Sequence, residues 1–154
     1  MSSYQVEVRI RPAFVDDVSA RWLREMVEGV LRAEKQPEEA EVTLLVTGDE
    51  EIRDLNREYR DTDRATDVLA FGGSEGEPFV TPEGFPLYLG DVVVSYPRAV
   101  AQAEAVGHAV KEELALLVVH GCLHLLGYDH AEEEGRREMW ERQEQIKETV
   151  LADE

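Results

Sequence analysis

Cysteine is almost missing from this sequence. Cys122 stands alone, so no intramolecular disulfide framework can hold the chain together. Long apolar runs are missing too. None reaches the roughly 18–20 residues that a membrane-spanning helix requires. The opening stretch MSSYQVEVRIRPAF lacks the apolar core of a secretory signal. These absences make a cytoplasmic protein without membrane contact the expectation. Bases are scarce relative to acids: 16 Lys and Arg face 34 Asp and Glu, for a formal net charge of −18. That balance argues against binding nucleic acid by simple counterion release from a basic surface. It fits a soluble, self-repelling surface with scope for a basic protein partner. What the chain does have is 43% hydrophobic residues over a length of 154, enough for a globular domain with a real core. Residues 1–154 read as one domain, with no repeat and no linker.

Hydrophobic patterning predicts the elements. Val6, Val8 and Ile10 alternate as a first strand. From Asp16 to about Lys35 an apolar stripe of Val15, Val18, Trp22, Leu23, Met26, Val27 and Val30 predicts a helix. EVTLLVT (41–47) is a second strand, and a helix follows from Gly48-Asp49 to about Arg60, with Ile52, Leu55 and Tyr59 facing in. DVLAF (67–71) is a short strand, the Gly- and Pro-rich segment 72–86 a loop with scope for a small hairpin, and LYLGDVVV (87–94) a central strand. Ser95 can cap a helix that Gly107 ends. An apolar helix follows from about Lys111 to Leu126. A charged one runs from Ala131 onward, with Met139, Trp140 and Ile146 as its contacts. Strands mixed with helices, then helices alone, indicate an α+β fold with one small mixed sheet packed by helices.

Histidine is scarce as well, four in all, yet three fall within HGCLHLLGYDH, residues 120–130. His120 and His124 lie four apart on the expected helix, roughly 40° apart about its axis and one turn along it. Gly127 ends the helix and lets His130 swing back. Three neutral imidazoles can then converge on one cation. Three nitrogens with a position left open make a zinc site of the catalytic type, whereas structural zinc is usually closed by a fourth protein ligand. One zinc ion per chain is the expectation, although imidazole also serves nickel, iron and copper. Cys122 points about 200° away from either helical histidine and reads as a small buried hydrophobe. Gly121 costs the helix about 1 kcal/mol relative to Ala; it either leaves room beside the metal or eases helix packing. His108 reads as a surface or capping residue. Asp129 reads equally as an acceptor orienting a ligand or as a helix cap.

The spacing H-x-x-x-H-x-x-G-x-x-H is shared with the metzincin proteases, in which Glu follows the first His as general base. Here Gly121 stands in that place, so a peptide-hydrolysing relative is the weakest reading. The full string resembles the signature of the YbeY family of bacterial endoribonucleases and ribosomal-RNA maturation factors. LNREYRDTDRATDVLAF (55–71), LGDVVVS (89–95), EELALLVVHGCLHLLGYDH (112–130) and the tail with Met139 and Glu141 are similar to that family's blocks. Ala70 and Gly72 depart from the serine and proline usual there. The resemblance implies a zinc site from His120, His124 and His130 and an essential arginine at Arg60. It also implies single-stranded RNA as substrate, notably the 3′ end of small-subunit ribosomal RNA, with a role in ribosome quality control. A non-catalytic ribosome-assembly factor with a zinc-stabilised binding surface is the alternative.

Arg53, Arg57, Arg60 and Arg64 share a face if the helix extends that far. Arg60 beside a metal suits bidentate phosphate recognition. Asp54, Glu58, Asp61 and Asp63 interleave, so Arg53, Arg57 and Arg64 read equally as a solvated, ion-paired face. No general base is assigned. Asp67 and Asp91 can reach the site, but capping or strand-end roles suit both better. The charge balance predicts weak, salt-sensitive affinity for isolated RNA, with recruitment by a ribosomal protein or an assembly GTPase.

Overall fold

The computed structural model describes residues 4–72, 87–128 and 133–152, with the backbone alone at positions 133, 134, 150 and 152. Among them four strands form one mixed sheet: β1 (Gln5–Ile10), β2 (Ala40–Thr47), β3 (Val68–Gly72) and β4 (Leu87–Ser95). Their spatial order is β1-β2-β4-β3. β1, β2 and β4 run parallel, and β3 is antiparallel at the edge. Five helices pack against the sheet or each other: α1 (Ala20–Ala33), α2 (Asp49–Arg60), α3 (Tyr96–Val106), α4 (Val110–Leu125) and α5 (Glu133–Ala152). The fold is α+β, as the patterning predicts. Of the 72–86 loop, residues 73–86 lie outside the described part, including any hairpin there.

Strand patterning explains the layers. β1 shows Val6, Val8 and Ile10 to the core and Gln5, Glu7 and Arg9 to solvent. The central strand β4 buries Val92 and Val94 on one face and Val93 on the other, hence its continuous apolar run. The main core lies between one face of the sheet and α1, α3, α4 and α5, with Leu23, Met26, Val118, Leu123, Met139 and Ile146 among its residues. The opposite face carries a satellite core of Ile52, Leu69 and Val93 beneath α2. α4 is apolar nearly all round because it is buried between sheet and helices.

Helix ends follow their caps. Ser19 accepts a hydrogen bond from the Trp22 backbone N–H at 3.1 Å, so α1 starts at Ala20 rather than Asp16. Val15 falls before that cap and is 52% exposed. Ser95 caps α3 and Gly107 ends it at φ +78°, as expected. In α2, Asp49, Glu50 and Glu51 sit in the first turn and Arg57 and Arg60 in the last, matching the helix dipole at both ends. α2 stops at Arg60 because Asp61 adopts a left-handed conformation, φ +53°. Arg64 is therefore not on the helical face. Two aromatic placements differ from expectation. Trp140 is 61% exposed, because α5 buries the stripe Met139, Gln143 and Ile146, about 100° from it. Tyr59 is exposed as well, at the end of α2.

Candidate metal centre and phosphate cleft

His120 and His124 project from successive turns of α4. Their ring centroids are 4.7 Å apart and the rings meet edge to face at 77°. Both rings are half-buried and line a cleft of about 640 Å³. The four-residue spacing brings this pair of rings together on one side of α4. His130 and Asp129 lie outside the described residues. Gly127 follows the end of the helix, as expected: it has φ +99°, a conformation other residues rarely adopt, and its N–H donates to the His124 carbonyl at 3.1 Å.

A residue that sequence reasoning missed holds His120. Gln143 of α5 is buried, and its Oε1 lies 2.7 Å from His120 Nδ1. A proton on Nδ1 would donate to this amide oxygen and leave Nε2 with the lone pair that a metal ligand needs. Imidazole is a donor that zinc takes, and among the described residues no third candidate ligand joins this pair. The signal was available in the sequence. Gln143 lies four residues after Met139 and three before Ile146, a polar residue on an apolar stripe. α5 is itself fixed by Arg142, which donates to the Ala33 carbonyl at 2.7 Å and pairs with Glu34 at the end of α1.

Gly121 has a packing reason. A Cβ there would lie 2.5 Å from Val92 Cγ1 and 3.1 Å from Val68 Cγ2. The glycine lets α4 press its histidine turn onto β3 and β4. Of the two roles considered for it, the structure supports packing. Cys122 is fully buried in the main core, and desolvation pushes its thiol up to about 12. His108 is remote from the cluster and sits before α4, with Nε2 2.6 Å from Glu113 Oε2.

Arg60 reaches the same cleft from the other side of the sheet. It leaves the last turn of α2 and passes round the edge strand β3, where Nη2 donates to the Ala70 carbonyl at 2.7 Å. Its guanidinium lies 4.9 Å from the Phe71 ring centroid. Ala70 and Gly72, which depart from the family's usual residues, keep regular pairing with Val92 and Gly90. Arg53 and Arg57 pair with Asp63 and Asp54 on the exposed surface, the ion-paired role considered for them. Asp67 lines the cleft. It also holds the start of β3, accepting from Gln102 Nε2 at 3.2 Å while its backbone carbonyl accepts from Ser95 N–H. Asp91 alternates with Val92 and Val94, so it points to the opposite face, where the Tyr88 hydroxyl donates to it. That excludes it from the histidine side. Arg60 and Asp67 are the charged side chains among the described cleft residues, so the cleft carries no net charge from them, unlike the acidic chain as a whole.

The family model described as endoribonuclease YbeY matches residues 7–150. The chain belongs to the YbeY family. Endoribonuclease YbeY of Halalkalibacterium halodurans is 50% identical over 129 residues, covering 80% of this chain and 81% of the relative. That of Dehalococcoides mccartyi is 43% identical over 136 residues, covering 83% and 85%. The solution structure of TM1509 from Thermotoga maritima superposes with a TM-score of 0.63 at 26% identity, covering 97% of this chain and 90% of that one. The YbeY match spans both walls of the cleft, from Arg60 on α2 to the histidine turn of α4 and Gln143 of α5.

Proposed function

We propose that this chain is a metal-dependent endoribonuclease that hydrolyses phosphodiesters in single-stranded RNA. Its substrate is the 3′ end of small-subunit ribosomal RNA precursor, and it acts in rRNA maturation and ribosome quality control. One zinc ion per chain is held by His120, His124 and His130. The observation that carries this reading is the meeting of His120, His124 and Arg60 in one cleft, in a chain whose relatives are named endoribonucleases. When bound, zinc supplies Lewis acidity and lowers the pKa of water.

The remaining work falls to the protein. Gln143 keeps the His120 proton on Nδ1 and fixes the ring. Arg60 orients the scissile phosphate through its planar, permanently charged guanidinium and stabilises the charge that develops there. The Ala70 carbonyl and the Phe71 face hold that guanidinium before substrate arrives, so little reorganisation remains. Asp67 narrows the cleft. No residue is assigned as general base. The acidic surface makes affinity for isolated RNA weak and salt-sensitive, so a ribosomal protein or assembly GTPase recruits the enzyme. The proposed place of action is the cytoplasm; among the described residues no helix is long and apolar enough to cross a membrane.

The test is His120→Ala, with metal content by elemental analysis measured beside cleavage of a ribosomal RNA precursor. Loss of both is expected. Cleavage retained without metal would refute a catalytic ion. A metal-loaded parent that binds ribosomes but cleaves nothing would make the protein an assembly factor.

A further inference from the structure

Tyr59 is 58% exposed on the last turn of α2, next in sequence to Arg60. Its ring meets that of Phe71 edge-on, with centroids 5.4 Å apart and planes at 63°. Phe71 packs on the satellite core of Ile52, Leu69 and Val93 and carries the Arg60 guanidinium near its ring. One exposed aromatic alone means little. This one is braced by a second ring, and that ring also holds the cleft arginine. The arrangement joins an open π face to a phosphate-binding cation.

We propose that Tyr59 and Phe71 form a stacking platform for one nucleobase of single-stranded RNA, beside the phosphate held by Arg60. The proposal rests on the RNA reading above. Unpaired bases splay out and stack on aromatic side chains, and any base serves because every base has a π face. A base paired in a duplex is not available for this, so the platform selects single strands. It also answers the charge problem. Stacking releases no counterions, so its contribution persists at salt concentrations that screen phosphate contacts. An acidic protein whose described cleft residues carry no net charge needs such a contribution more than a basic one does.

Fluorescence anisotropy of the full chain with an end-labelled single-stranded RNA oligonucleotide tests the platform. Tyr59→Ala should weaken binding about 5- to 150-fold, the span expected for one stacked base. The weakening should be similar at low and high salt, and Tyr59→Phe should bind like the wild type. An abasic residue at the stacked position should weaken the wild type and leave Tyr59→Ala little changed. Wild-type affinity in a folded Tyr59→Ala chain would overturn the platform while leaving the ribonuclease reading intact. Equal losses in Tyr59→Phe and Tyr59→Ala would assign the effect to the hydroxyl and overturn stacking. A wild type that neither binds nor cleaves RNA would remove the underlying reading itself.

Discussion

Gln143 and His120 are joined across two helices by a 2.7 Å contact between Oε1 and Nδ1. The amide oxygen favours the tautomer with its proton on Nδ1 and holds the plane of the ring. Gln143→Leu should therefore fold but bind zinc 10- to 100-fold more weakly, the usual cost of losing such an outer partner. Competition with a chromophoric chelator measures the affinity. Nitrogen chemical shifts of the metal-free protein report the tautomer. Unchanged affinity and an unchanged Nδ1–H signal would show that Gln143 merely fills space.

Gly121→Ala should destabilise the protein despite alanine's better helix propensity. The added methyl meets Val92 Cγ1 at 2.5 Å. Overpacking of this kind costs about 1–3 kcal/mol, against about 1 kcal/mol gained in the helix. The double variant with Val92→Ala should recover part of the loss. Urea denaturation gives the comparison, and a Gly121→Ala chain as stable as the parent would show that α4 is free to move away.

Cys122 should resist alkylation in the native protein at pH 8. Its thiol is buried and pushed up to about 12 by desolvation, so almost no thiolate is present or reachable. In denaturant the same thiol should label fully. Stoichiometric labelling of the folded chain over the same time would contradict its core position.

Glu51 should contribute to the acid limb of stability. Arg11 forms a two-pronged pair with it, both contacts at 2.8 Å, and the Thr47 hydroxyl donates to the same carboxylate. The Arg11 hydrogen bond, then that of Thr47, holds its pKa below the ordinary 4.5. A lowered folded value means the contribution is fully present above 4.5 and is lost as pH falls through the depressed value. The stability difference between wild type and Glu51→Gln should thus be constant near neutrality and shrink below about pH 4.5. Because the pair is partly exposed, the difference should also fall with salt. Melting curves across pH 3–7 would expose a flat difference, which would remove Glu51 from the acid response.

Much of this was legible in the residues. The strands, the α4 histidine pair and the caps at Ser95 and Gly107 are local patterns, written in spacing and in residue type. Gln143 was missed because its meaning depends on which helix α5 packs against, and no local window contains that. Tyr59 is apolar by spacing, but the helix ends one residue later, and its last turn meets only the edge strand β3, which leaves the ring exposed. Asp91 looked close to the site in sequence, and strand alternation put it on the wrong face. Gly121 could be read two ways until the valines of β3 and β4 were in place.

α2 is the only described helix on its face of the sheet, and it rests on a cluster of three buried residues. α4 lies in the middle of the main core. Elements with few buried contacts open more often than deeply packed ones. Amide hydrogens of α2 should thus exchange with solvent well before those of α4. The histidine turn ends a helix set deep in the main core. Arg60 and Tyr59 ride instead on a helix with the smaller buried cluster, better able than α4 to yield to an incoming strand.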